Sequence, residues 1–308
     1  MRVTVVTTCT DRKRSGTAEG PRARALPPGD QDQLAANWRA AITSCRETQA
    51  ARALYCGRSF REAEAAAESI GGDLLVISAG LGLIEADAQI PRYDLTLSRG
   101  SDDDVSTRCA GAFDHARWWT QVNGGTANPI AQHVAGDPDR VFVVGLSRTY
   151  ARLVEQDLLS LDAGGRERLR LLGPSLAKHV ADDLKPCVLP YDARLDAPAS
   201  PYAGTLSDFA SRAARHFTTE VLARLPQAGP RDHAQAVDDA LAGWKVPARP
   251  SRTSMTDDGI VDVIVASLPD IGRNSARMLR HLRDGRAIAC EQRRFSSLYK
   301  LAIERASR

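Results

Sequence analysis

Three short apolar runs, each opening into a polar turn, constrain this 308-residue chain more than any other feature. Val3-Thr4-Val5-Val6-Thr7-Thr8 is β-branched throughout, Leu74-Leu75-Val76-Ile77 is aliphatic, and Val141-Phe142-Val143-Val144 runs into Gly145. Runs of this length without strict alternation fit strands covered on both faces. Around them the sequence predicts helices over 31–45, 59–69, 105–122, 147–159 and 205–225. Weaker strands are expected at 169–172 and 188–189. Strands alternating with helices make an α/β fold, a mostly parallel sheet with flanking helices. Ligands of such sheets lie beyond the carboxyl ends of the strands, which directs attention to residues 9–13, 78–94, 145–150 and 191–194.

Hydrophobic residues make up 43% and charged residues 26%. Those values argue against a disordered chain, a collagen-like fibre or a membrane bundle. No apolar run approaches the roughly 18 residues of a membrane span, and residues 3–6 are too few for a secretory signal. A cytoplasmic protein with no membrane partner is expected. At about 150 residues per domain, the length suits two. The boundaries expected are an α/β pocket domain at 1–225, a linker with a possible helix at 226–255, and a small helical domain at 256–308. Cys9, Cys45, Cys56, Cys109, Cys187 and Cys290 form no C-x-x-C pair, and the histidines show no ligand spacing. Neither a metal nor a cofactor is expected from such a pattern.

The formal net charge of +3 conceals an asymmetry. Residues 271–308 hold ten bases against three acids, a net of +7, while the other 270 residues hold 31 bases against 35 acids, a net of −4. A basic block on a slightly acidic protein is the pattern that phosphate-backbone binding leaves, although a solvated basic helix pair gives the same count. Helices are expected over 257–266, 275–284 and 291–305, the last two joined by a tight turn, as in a helix-turn-helix or winged-helix module. On the last helix Phe295, Leu298, Tyr299 and Ile303 form the stripe expected to be buried, with Arg293, Ser296, Ser297 and Lys300 opposite. Gln292 and Arg293 are the expected base-edge readers, and Arg277, Arg294, Ser297 and Lys300 the further DNA contacts. A helical packing or dimerisation unit is the plain alternative.

Four segments carry more chemistry than connecting turns require. Cys9-Thr10-Asp11-Arg12-Lys13 sets a thiol, a carboxylate and two cations after the first strand, suited to a phosphate or a base carbonyl, or equally to a solvated turn. Ser78-Ala79-Gly80-Leu81-Gly82, with Tyr93 and Asp94 downstream, permits close approach to a flat ligand on which Tyr93 stacks, or a strand exit over a core tyrosine. The spacing is not a dinucleotide fingerprint, because Glu85 stands where the third glycine belongs. Asp192 and Arg194 precede a helix on which Asp208, Arg212 and His216 share one face, either a site edge or a surface ion pair.

The run from Leu75 through Ser78, Gly80 and Gly82 to Ile84, followed by Asp87 and Tyr93-Asp94-Leu95, resembles the YaaA-like proteins. The stretch from Val5 to Lys13 and Arg52-Ala53-Leu54-Tyr55 are similar to uncharacterised bacterial proteins sharing that core. The core is distantly similar to the uracil-DNA glycosylase superfamily and to archaeosine synthase, where the loop after the first strand helps form a base pocket. The resemblance covers about residues 1–155. It implies a DNA-binding enzyme that hydrolyses the N-glycosidic bond of a modified or damaged base, in repair or anti-phage defence. Its partners would be DNA and a nucleobase or nucleotide in the α/β pocket. In that reading Asp11 or Asp94 is the catalytic carboxylate, Cys9, Arg12 and Lys13 contact phosphate or base, and Tyr93 stacks. Ser78, Gly80 and Gly82 supply pocket backbone, and Asp192, Arg194, Asp208 and His216 close the site. The alternatives are a noncatalytic DNA-binding stress or regulatory protein that senses a nucleotide, and an RNA-directed base-modifying enzyme.

Overall fold

The computed structural model describes residues 2–10, 12–14, 19–248 and 251–306. It divides into two compact units, Met1–Pro247 and Ala248–Arg308. The larger unit runs β1 (Arg2–Thr8), α1 (Gln31–Thr43), β2 (Gln49–Ala50), α2 (Ala51–Leu54), α3 (Arg58–Ser69), β3 (Asp73–Ser78), β4 (Gly82–Glu85) and β5 (Gln89–Ile90). It continues through α4 (His115–Val122), α5 (Pro129–Ala135), β6 (Arg140–Gly145), α6 (Arg148–Leu159), α7 (Ala163–Glu167), β7 (Leu169–Leu172), α8 (Phe209–His216) and α9 (Pro230–Leu241). Five strands form one sheet in the order β4-β3-β1-β6-β7, parallel except where β4 returns against β3. This is the mixed α/β architecture that the alternation of strands and helices predicts. β3 lies on one side of β1 and β6 on the other, so the winding direction reverses at the β1–β6 pair.

Three stretches depart from expectation, and the first is 188–189, where the expected strand is only an isolated bridge between Val188 and Leu171. β4 replaces a predicted loop, because Gly82 takes a φ of +77° and turns the chain back on Ser78. A Cβ there would lie 2.3 Å from Asn123 Oδ1, the atom that accepts the Leu83 N–H. The helix predicted over 105–122 is interrupted: a 3-10 turn covers Val105–Arg108, and α4 begins only at His115. Asp114 caps it by accepting from the Ala116 and Arg117 N–H groups.

The predicted linker at 226–255 divides between the units. Its helix, α9, buries His233, Val237 and Leu241 against the larger unit. Arg170 on β7 donates Nε to His233 Nδ1 at 2.7 Å and Nη2 to the Ala228 carbonyl at 2.9 Å. His233 Nε2 then donates to the Leu225 carbonyl at 2.8 Å. These bonds satisfy a guanidinium that is 1% exposed and fasten α9 to the sheet.

The small unit comprises β8 (Thr253–Ser254), α10 (Asp257–Ile271), α11 (Ser275–Arg280), β9 (Ile288–Ala289) and α12 (Gln292–Arg305). β8 pairs parallel with β9. Ile260, Ile264, Met278, Leu282, Phe295, Leu298 and Ala302 form its core. α10 runs past residue 266 through Pro269, whose missing N–H costs only one bond in the last turn. Asn274 caps α11 by accepting from the Arg277 N–H. The second helix continues through a π turn, His281–Gly285, and the expected tight turn before the last helix is instead the longer connection 286–291 carrying β9. Among the described residues no helix is long and apolar enough to cross a membrane.

Candidate functional site

The reversal point of a parallel sheet opens a crevice between the two strand ends that diverge there. In this chain those ends are Cys9, just beyond β1, and Ser147 to Tyr150, just beyond β6. Cys9 Sγ and Tyr150 Oη lie 2.9 Å apart across it. Ser147 caps α6 and so directs the positive end of a 12-residue helix toward the crevice.

The segment after β1 is held by a second strand-like contact. Lys13 bridges Tyr55 antiparallel, the Cys56 N–H donates to the Arg12 carbonyl at 3.1 Å, and Thr10 Oγ1 donates to the Cys56 carbonyl at 3.1 Å. Beneath it runs a buried hydroxyl chain: Tyr55 Oη lies 2.7 Å from Tyr93 Oη, which lies 2.6 Å from Ser78 Oγ. Burial pushes both phenols up, and the neighbouring Cys9 adds to that shift, so neither ionises near neutral pH. Lys13 Nζ sits 4.6 Å over the Tyr93 ring and 3.8 Å from Asp94 Oδ1, on a side chain only 4% exposed. Arg22 Nε approaches the other Asp94 oxygen at 3.6 Å.

The sequence-predicted residues therefore separate into two groups. Cys9, Lys13 and Asp94 come together around Tyr93, and Arg12 neighbours Gly57 at the start of α3. Asp11 lies outside the described residues. Tyr93 is 0% exposed, which overturns its expected role as a stacking platform: its ring is sealed between Lys13, Trp38 and Gly80. Ser78 is also buried and accepts the Gly80 and Leu81 N–H groups, so it shapes the turn from within. The Ala79 and Gly80 carbonyls are taken by the Trp118 and Trp38 indoles, both at 2.7 Å. A Cβ on Gly80 would meet the Tyr93 ring at 2.9 Å and Trp38 at 3.1 Å. Gly80→Ala is accordingly expected to destabilise the protein by about 1–3 kcal/mol, read as a lower calorimetric melting temperature.

The residues expected to close the site have structural partners instead. Asp192 pairs with Arg194, which also bonds Asp238 Oδ1 on α9 at 2.7 Å. Asp208 receives Arg212 Nε at 2.6 Å and the Thr205 N–H at 2.8 Å, and is buried. His216 is enclosed by the rings of Tyr191, Tyr202 and Trp244. The helix-face pattern identified these groups correctly as neighbours but not that their common face points inward.

Tyr55 and Tyr150 are not among the expected site residues, although the segment 145–150 is singled out and Tyr55 stands in the resemblance at 52–55. Tyr150 carried a usable signal: it stands three residues beyond the cap of the helix that follows β6, the strand at the reversal point. Tyr55 carried only its place in the resembling stretch 52–55, since a buried tyrosine at the end of a four-residue helix otherwise reads as core.

A cleft of about 680 Å³ opens at the opposite end of the sheet, where β3 and β6 begin. Its charges are largely spent on one another: Arg140 pairs with Asp73 and Asp137, and Arg52 with Asp87. Burial raises the Glu64 carboxyl there, with Glu68 adding to the shift and Arg52 opposing it. Its volume would hold a small ligand, whereas topology and convergent chemistry favour the crevice at Cys9 and Tyr150, and the latter carry more weight. Among the described residues no group of three or more His, Cys, Asp or Glu is arranged to hold a metal ion.

A family model described as a family of unknown function (DUF6884) matches residues 41–155, from the end of α1 into α6. That stretch contains Tyr55, Ser78, Tyr93, Asp94 and Tyr150, and omits the segment after β1. No curated protein and no solved structure matches the chain.

Proposed function

We propose that the larger unit binds a base of DNA in the β1–β6 crevice and hydrolyses its N-glycosidic bond, in the cytoplasm, in repair or anti-phage defence. The small unit in this reading is a helix-turn-helix-type module that grips the duplex. The observation that carries the proposal is the Cys9–Tyr150 pair at the reversal point, on a segment whose Lys13 lies over the sealed Tyr93 ring. A base reaches such a crevice only by leaving the stack. There the Lys13 ammonium and the Tyr150 hydroxyl donate to its carbonyl or ring nitrogen as it departs with the bonding electron pair. A carboxylate, Asp94 or Asp11, orients the water that adds to C1′ of the sugar and takes its proton.

One observation favours a second reading, the noncatalytic DNA-binding regulator with a nucleotide-sensing pocket. Asp94 already faces two cations, Lys13 and Arg22, and a carboxylate so engaged is a poor orienter of water. Full-length protein incubated with duplexes carrying varied modified bases, then probed for abasic sites, separates the two. The glycosylase reading expects base release from at least one duplex, reduced by roughly 10²-fold or more in Lys13→Met and in either Asp94→Asn or Asp11→Asn. Nucleotide binding without release from any duplex selects the regulator. Neither binding nor release sinks both.

A further inference from the structure

Part of the positive charge of the basic carboxy-terminal segment is taken up within the small unit itself. On α12, Arg294 donates Nε to Asp257 Oδ1 at 2.8 Å and Nη2 to the Met255 carbonyl at 2.7 Å. Arg305 pairs with Asp262 at 2.8 Å. Arg294 and Arg305 of the expected recognition helix thus neutralise acids of α10, whereas Lys300 is exposed. In the π turn, Arg283 donates Nε to the Cys290 carbonyl at 2.9 Å.

α11 differs. Arg277 and Arg280 are exposed, and among the described residues neither forms an ion pair with a carboxylate. Both line a shallow groove of about 250 Å³ with Ile271, His281, Asp284 and Gly285. Asp284, the one acid on this groove, is held by Arg252 at 3.1 Å. The groove therefore presents two guanidinium groups with their charge unspent. Side chains three apart on a helix stand roughly 5–6 Å apart at Cβ, close enough to reach phosphates of one strand together. Guanidinium is suited to bidentate contact with phosphate.

We infer that α11, rather than α12, holds the phosphate backbone of duplex DNA, through Arg277 and Arg280. This assignment rests on the reading of the small unit as a DNA-gripping module. It leaves α12 to contribute Gln292, Ser297 and Lys300, which are exposed.

The test is binding of full-length protein to a fluorescent duplex, followed by anisotropy over a range of salt. Removing one cation from a phosphate flattens the slope of log affinity against log salt by about 0.9. Arg277→Gln with Arg280→Gln is expected to flatten it by about 1.8 and to weaken binding roughly 30-fold at physiological salt. Ser297→Ala with Lys300→Gln is expected to flatten it by no more than about 0.9. All four side chains are exposed, so unchanged thermal melts certify the fold of both variants. Wild-type binding with an unchanged slope in the α11 variant overturns the α11 assignment and leaves the DNA reading standing. Absence of wild-type binding at low salt overturns both together.

Discussion

Asp208→Ala is expected to melt on the order of 10 °C below the wild type, whatever its effect on any activity. The reason is the environment of Arg212, which is 0% exposed. Its guanidinium donates to Asp208 Oδ1 at 2.6 Å, to Asp196 Oδ1 at 2.7 Å, and to the Tyr202 and Thr205 carbonyls at 2.6 and 2.7 Å. Removing one partner of a buried pair leaves the other charge short of compensation, which costs about 3–4 kcal/mol. The same carboxylate accepts the Thr205 N–H in a capping box, so the entry to α8 is lost with it. Burial alone would raise the Asp208 carboxyl, but the Arg212 and Thr205 hydrogen bonds outweigh that and hold it below its ordinary value. A depressed carboxyl stabilises fully above its unfolded pKa, about 4, and that share is lost as pH falls through the folded value. The variant should therefore lose most relative to the wild type near neutral pH, with the gap closing in acid. Combining Asp208→Leu with Arg212→Met should recover stability, because an apolar pair of similar volume tolerates burial better than one orphaned charge. If Asp208→Ala melts like the wild type, the network is not structural and Asp208 returns as a candidate for chemistry.

How much of this was legible in the sequence depended on whether a feature is local. β1, β3 and β6 were readable because β-branched and aliphatic runs have few alternatives. The crevice at their ends followed from sheet topology, and Cys9 and Lys13 were found by position along the chain. Burial was not legible. Tyr93 could lie on or under the turn, and only the approach of Lys13 and Trp38 from distant segments decides that it lies under. Asp208 and Arg212 at a spacing of four look the same on a wet face as on a dry one. In the small unit, local spacing identified α12 and its apolar stripe, yet Arg294 and Arg305 are claimed by acids some 40 residues earlier. Helix periodicity tells which residues share a face, whereas the partner segment tells what that face is for.

Stability of the wild type is expected to fall by about 3 kcal/mol as pH drops from roughly 6.5 to 4, through His216 alone. Its imidazole is 2% exposed among Tyr191, Tyr202 and Trp244, with Nδ1 2.7 Å from Tyr191 Oη. Burial drives its pKa down to about 4; Arg224 helps, and Glu220 opposes without prevailing. A histidine whose folded pKa is depressed binds its proton more readily when unfolded, so acid favours the unfolded chain. The loss begins as pH falls through the unfolded value, about 6.5, and is complete once the folded site also protonates. Burial likewise lowers His233, so the wild-type curve alone does not isolate His216. The difference between wild type and His216→Phe does. Phenylalanine fits the aromatic enclosure but leaves the Tyr191 hydroxyl without its partner, a cost of about 1–3 kcal/mol that does not vary with pH in this range. Denaturant midpoints measured from pH 7.5 to 4 should therefore show the variant less stable at neutral pH, with the two curves converging or crossing in acid. Parallel curves would mean that His216 is reached by solvent in the folded protein. It would then be free to exchange protons with a substrate, as its helix face first suggested.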